Sequence, residues 1–352
     1  MTESIRTIAQ LLEAGADTHT AIMAPGGLPL TFAGLRAHVA NTVADLNSHG
    51  ITINERVAIV LDNGPEMATA FLAIASGATA APLNPSYRTD EFEFYLTDLH
   101  AKLLVIAAGK ETPAEAVAVR LGIPVARLVA QPEKGAGSFT LEFPASLAGA
   151  AVAAPRMAGP ENIALVLHTS GTTSRPKIVP LAQRNVCASA KNIRETLSLT
   201  HKDVGLVVMP LFHIHGLIAA LLAPLSAGGT VWCTPGFNAL KFFGWLSEAK
   251  PTWYTAVPTM HQAILLRAPK NEEIVATSDL RFIRSSSSSL PPTVLADLER
   301  VFRTRVAEAY GMTEAAHQMA SNPLPPRERK PGTVGVAAGP EIRVVDEAGK
   351  TV

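Results

Sequence analysis

The chain has 352 residues, which at about 100 to 200 residues per domain makes two or three structural units and allows a substantial buried core. Hydrophobic residues make up 47% and charged residues only 17%, against a usual ~25%, which excludes a disordered chain. Thirty basic groups balance thirty acidic ones, so net charge points to no nucleic-acid partner.

The opening MTESIRTIAQ has no basic segment leading into an apolar one, so no secretory signal is expected. Residues 56–61 (RVAIVL) read as a buried strand, 65–76 as a helix opened by Pro65, and 103–107 as another strand. The most apolar stretch, 67–83, carries Thr69, Ser76, Gly77, Thr79 and Pro82 and falls short of the ~20 residues of a membrane span. It reads instead as a buried helix followed by a strand. Residues 131–160, rich in Gly, Ala and Pro, read as a long surface excursion. Further strands are expected at 163–168 (IALVLH), 204–209, 230–233, 252–257, 281–285 and 305–309, with helices between several of them. Five serines at 285–289 sit between a strand and a helix begun at Pro291, which predicts an ordered turn. Cys187 and Cys233 are too few for a disulfide framework or a cysteine-only metal site and fit a reducing, cytoplasmic compartment. The alternation predicts an α/β fold of mostly parallel sheets covered by helices, in two layers.

The strand at 163–168 runs straight into Thr169, Ser170, Gly171, Thr172, Thr173, Ser174, Arg175, Pro176 and Lys177. Several backbone N–H groups, hydroxyls and one ammonium in so short a loop are what a polyphosphate needs in place of its water shell. The P-loop of NTPases is excluded, because that motif needs Gly-Lys-Ser/Thr opening a helix, whereas here Pro176 precedes Lys177 and Ile178 follows it.

HTSGTTSRPK closely resembles the phosphate-binding signature of the adenylate-forming superfamily, which holds acyl-CoA synthetases, luciferases and adenylation domains of peptide synthetases. GPEMATAFLAIASGATAAPLNP, MPLFHIHGL and EAYGMTEAAHQM match further family segments in order. The resemblance implies two stacked, doubly wound α/β layers with part of a small β-barrel. Subdomains are expected at roughly 55–190 and at 20–54 plus 195–320, with the barrel portion at about 321–352. It also implies a two-step reaction. A carboxylate attacks the α-phosphate of ATP to give an acyl-adenylate, and a thiol, usually coenzyme A, then displaces AMP. ATP, Mg²⁺ and coenzyme A are the implied cofactor and co-substrates, and catalysis would rest on positioning and charge neutralisation.

By this resemblance Thr169, Ser170, Gly171, Thr172 and Thr173 hold phosphates, with Lys177 as counter-charge and Thr172 and Lys177 counted as catalytic. Ile178 replaces the family's usual glycine, and strain is expected there if the position requires positive φ. Ser286, Ser287 and Ser288 take the place of a small-residue turn against one face of adenine. Glu308, Ala309, Tyr310, Gly311, Met312 and Thr313 form the segment on its other side, where a tyrosine face suits stacking and Thr313 can donate to the α-phosphate. Glu314 is a hard oxygen ligand for a phosphate-bound Mg²⁺.

A lone histidine beside Phe212 and Ile214 is ordinarily a packed core residue, but His213 resembles the family histidine at the acyl pocket that contacts the reacting carboxylate. His215 and His168 read as structural. His317 would point beside the carboxylate site, and with Ser287 it offers the polar end a small diacid needs. HTSGTTSRPK, the serine turn, YGMTEAAHQMASNPLPP and RKPGTVG look most like oxalate-CoA ligases. The expected function is therefore an ATP-dependent acid-thiol ligase for a small, oxalate-like diacid. The rivals are a medium-chain, long-chain or aromatic acyl-CoA ligase, a nucleotide-binding module without turnover, and a luciferase-like monooxygenase. The family's ribose-binding aspartate and C-terminal lysine are not found in the chain, which is expected to be the N-terminal region of a longer ligase. A membrane span is not expected.

Overall fold

The computed structural model describes residues 5–147, 155–169 and 176–352. In chain order the strands are β1 (Thr20–Met23), β2 (Leu30–Thr31), β3 (Arg56–Val60), β4 (Thr79–Pro82), β5 (Leu103–Ala107), β6 (Val125–Ala130), β7 (Phe139–Glu142) and β8 (Ile163–Thr169). They continue as β9 (Lys177–Ala182), β10 (Val204–Val207), β11 (Thr230–Cys233), β12 (Trp253–Ala256), β13 (Phe282–Ser285), β14 (Arg305–Met312), β15 (His317–Ser321) and β16 (Val336–Ala337).

Two sheets result. The first runs β7-β6-β5-β3-β4-β8-β9 and the second β16-β15-β14-β13-β12-β10-β11-β1-β2. The inner pairs of each are parallel, and β7, β9, β2, β15 and β16 add antiparallel flanks. Parallel strands covered on both faces read as unbroken apolar runs, and β11 and β12 are buried at every position. The fold is thus α/β with two sheets dominated by parallel pairs.

The helix Pro65–Gly77 starts with proline at its first turn, where the missing N–H costs nothing, and is buried from Met67 to Gly77. It packs on the helix Phe32–Ser48 and also touches β4, β8 and β11, so it belongs to the core of both sheets. Burial of Phe71, Leu72 and Ile74 contributes about 2 kcal/mol each. No helix among the described residues is long and apolar enough to cross a membrane.

Two polar ties fix the second sheet. Asp203, buried ahead of β10, accepts hydrogen bonds from Thr200 N–H, Thr252 Oγ1 and Arg281 Nε, all at 2.8 Å, and so aligns the starts of β10, β12 and β13. Asn63, just after β3, accepts from Leu211 N–H at 2.8 Å and donates to the Thr234 carbonyl at 3.2 Å, joining one sheet to the other.

The surface excursion expected at 131–160 needs correcting. It contains a 3₁₀ turn, Pro132–Lys134, and the edge strand β7, whose Phe139 and Leu141 are buried while Thr140 and Glu142 face out. The alternation Phe-Thr-Leu-Glu was the overlooked strand signal. The strand expected at 305–309 runs on to Met312.

Candidate active site

Strands β12, β13 and β14 run parallel in a register that sets Thr255 beside Arg284 and Arg284 beside Ala307. In sheets of this kind ligands bind beyond the carboxyl ends of the strands. Strand β14 outruns β13 and folds back as β15, with Gly311 opposite Gln318 and Met312 opposite His317. A 3₁₀ turn, Thr313–Ala315, closes the hairpin, followed by Ala316 at φ 53° and His317 at φ 95°. The two arms touch so closely that a Cβ on Gly311 would lie 1.8 Å from the His317 carbonyl oxygen, so only glycine fits.

The hairpin distributes the predicted residues. Tyr310 and Met312 project from β14 at 45% and 39% exposure, Glu314 is exposed at the tip, and His317 is buried on the return. Glu308 is nearly buried and turns elsewhere. Its Oε2 accepts from Gly332 N–H at 3.0 Å, and burial raises its pKa despite that bond and the nearby Arg329.

The serine run is an ordered turn. Ser286 is buried and donates to the Ala309 carbonyl at 2.9 Å, stitching the turn to β14, whereas Ser287 and Ser288 are exposed. Ser287 holds φ 72°, unusual for a residue with a Cβ. Its Oγ lies 2.9 Å from His215 Nδ1, and the His215 ring stacks on His317 with centroids 4.9 Å apart. Ser287 and His317 are therefore joined through His215. Burial first, then the neighbouring Arg284 and histidines, hold the pKa values of His215 and His317 well below the ordinary range.

His215 opens a π-helix, His215–Leu222, whose wider turns are frequent at functional sites. The His215 N–H donates to His213 Nδ1 at 3.2 Å, so the exposed His213 ring caps this helix and a neutral His213 carries its proton on Nε2.

On the first sheet Thr169 ends β8 opposite the exposed Lys177 of β9, and Thr169 Oγ1 lies 3.5 Å from Glu314 Oε1, a long contact between the sheets. Ser170, Gly171, Thr172 and Thr173 lie outside the described residues. Ile178 sits in β9 opposite His168 and is not among the positive-φ residues, so the strain expected there does not arise. His168 bonds Asp98 Oδ2 at 3.0 Å beneath Tyr95. Cys187 and Cys233 are free and buried, and burial pushes the Cys187 thiol up to about 12.

Three residues escaped the sequence reading. Arg284, Thr255 and Gln318 meet His215 and His317 in one buried cluster. An arginine inside the expected strand Arg-Phe-Ile-Arg-Ser was the available signal for the first.

Among the described residues no group of three or more His, Cys, Asp or Glu could hold a metal ion. Glu314 is a single exposed carboxylate, a donor set that suits a cation arriving with phosphate oxygens of its own. The exposed Tyr310 and Met312 beside the serine turn likewise fit a flat, apolar base.

The chain belongs to the AMP-binding enzyme family, whose model matches residues 13–352. It is similar to an oxalate-CoA ligase of Arabidopsis thaliana, 42% identical over 335 residues that make up 94% of this chain and 65% of that protein. An oxalate-CoA ligase of Saccharomyces cerevisiae is 38% identical over 313 residues, 83% of this chain and 57% of its own length. The chain thus spans about three fifths of these relatives. Among solved structures, ATP-bound MatB from Rhodopseudomonas palustris superposes with a TM-score of 0.83 at 28% identity, covering 99% of this chain and 68% of that one.

Proposed function

We propose that the chain is the nucleotide- and acid-binding part of an ATP-dependent acid-thiol ligase that activates a small, oxalate-like dicarboxylate. One carboxylate oxygen forms a bond to the α-phosphorus, the bond to pyrophosphate breaks, and the thiol sulfur of coenzyme A then replaces AMP at the acyl carbon. The observation that carries the substrate class is the joining of Ser287 and His317 through His215, at 2.9 Å and a 4.9 Å stack. A second carboxylate buried without partners costs several kcal/mol, whereas donors at a pocket end repel a fatty chain that leaves them unpaired. The likeness to two oxalate-CoA ligases supports the same choice. An open apolar groove of about 870 Å³, lined by Leu265, Leu266, Val275 and Val294 among others, includes none of the candidate residues.

In this reading Tyr310, Gly311 and Met312 face adenine opposite Ser287 and Ser288, while Thr169 to Thr173, Thr313 and Lys177 hold the phosphates. Ser286, with its hydroxyl on Ala309, and Glu308, with its carboxylate on Gly332, act as supports. His213 meets the reacting carboxylate. Glu314 would hold Mg²⁺, which supplies charge neutralisation on the phosphates. The sheets would correspond to subdomains at 55–190 and at 20–54 plus 195–320, with 321–352 leading into a barrel. A cytoplasmic setting fits the two free thiols.

The substrate test is kcat/KM for oxalate against hexanoate. Oxalate is expected to win, and Ser287→Ala combined with His317→Ala to narrow or reverse the gap. A protein that activates hexanoate at least as well as oxalate refutes the diacid reading. For the nucleotide, Lys177→Ala is expected to weaken MgATP binding in calorimetry by about 1 to 3 kcal/mol, the usual range for a charge-assisted contact. Unchanged affinity removes Lys177 from the phosphate site.

A further inference from the structure

Arg284 stands inside β13 with no exposed surface. None of the ion pairs among the described residues includes it. Its hydrogen bonds all end on neutral acceptors: NH1 on His215 Nε2 at 3.2 Å and Thr255 Oγ1 at 3.3 Å, NH2 on His317 Nε2 at 3.1 Å and Gln318 Oε1 at 3.4 Å. Its Nε is buried with no partner among the described residues. Burial pushes its pKa down to about 9, which leaves it charged at neutral pH. A buried cation without a counter-charge is costly to hold, and the fold keeps it here.

Donor chemistry gives the cost a purpose. A guanidinium has donors only, so each imidazole nitrogen facing it must accept. His215 Nε2 and His317 Nε2 therefore carry lone pairs, and the neutral rings hold their protons on Nδ1. Thr255 Oγ1 takes a hydrogen bond from Arg284 and turns its own proton, at 2.6 Å, to the same His215 Nε2 lone pair, which the two donors share as a three-centre bond. His215 Nδ1–H then donates to Ser287 Oγ, and the Ser287 hydroxyl proton is left to donate elsewhere. His317 presents an Nδ1–H as well. Both donor residues hold backbone that residues with a Cβ seldom adopt, φ 72° at Ser287 and 95° at His317, a kind of strain that gathers at working sites.

We propose that Arg284 is a positioning residue for the acid substrate, fixing His215 and His317 as Nδ1–H tautomers so that Ser287 Oγ–H and His317 Nδ1–H donate to a small dicarboxylate near a buried positive charge. This rests on the ligase reading above. The role is indirect: Arg284 acts through the two rings, not by contact with the acid.

The test uses Arg284→Met and Arg284→Lys in the protein, the second keeping the charge but unable to direct a planar fork at two rings. Both are expected to raise KM for oxalate tenfold or more and to leave KM for MgATP within twofold. If the methionine variant fails to fold, the lysine variant carries the measurement. Long-range ¹⁵N–¹H correlation spectra of the parent should show both imidazoles as Nδ1–H, and Arg284→Met should return His317 to a tautomer mixture. Nε2–H tautomers in the parent overturn the proposal. So does an unchanged oxalate KM, or a loss of stability that worsens both KM values together. A parent with no preference for oxalate overturns the diacid reading and this inference with it, whereas a preference that survives Arg284→Met overturns the inference alone.

Discussion

Glu314→Gln is expected to slow ATP–pyrophosphate exchange by about 100-fold or more, the usual range for losing one group that stabilises developing charge. The melting temperature should stay within about 1 °C, because Glu314 is exposed at the hairpin tip and its contact with Thr169 Oγ1 is long, at 3.5 Å. Exposed polar contacts of that kind contribute little to folding. Glutamine keeps the shape and removes the charge, so the Mg²⁺ concentration for half-maximal rate should rise. Exchange at the parent's rate and Mg²⁺ dependence takes Glu314 out of the metal site.

A single methyl group at 311 is expected to do more damage to the fold than the loss of that charge. Gly311→Ala places its Cβ 1.8 Å from the His317 carbonyl, and backbone on both sides leaves no flexible side chain to give way. Overpacking commonly costs about 1 to 3 kcal/mol and more where nothing can move, so about 3 kcal/mol is expected here, seen as a lower denaturation midpoint. Because Tyr310, Glu314 and His317 share this hairpin, adenylation should be lost as well. A variant that melts with the parent shows that the two arms can admit a methyl, and one that melts lower yet retains full activity shows that the hairpin does not hold the site.

The parallel core was legible because its strands are unbroken apolar runs: 103–107 and 230–233 coincide with β5 and β11. Short antiparallel flanks were harder. Leu30–Thr31 and Val336–Ala337 have two residues each, too few for any period, and β15 (His-Gln-Met-Ala-Ser) has no strand pattern because it is held by its pairing with β14. In the site, chain order brought Ser287 and His317 to notice as separate donors. Their link through His215 depends on how the π-helix crosses the sheet, which no local pattern encodes. The role of Arg284 was hidden for a related reason, although its place in a strand was a signal: its partners stand 29 to 69 residues away.

The positive φ angles at Ser287 and His317 imply a conflict between two kinds of selection. Glycine would relieve the backbone at either position, by the same logic that makes it the ordinary occupant of such conformations, and would erase a donor in doing so. A library randomised at 287 and 317 and screened for heat resistance should drift toward glycine. The same library selected for turnover of the acid proposed above should return to serine and histidine. If the two donors serve as proposed, attempts to harden this protein by consensus or design must exempt these two positions, where local stability and turnover would pull the sequence in opposite directions.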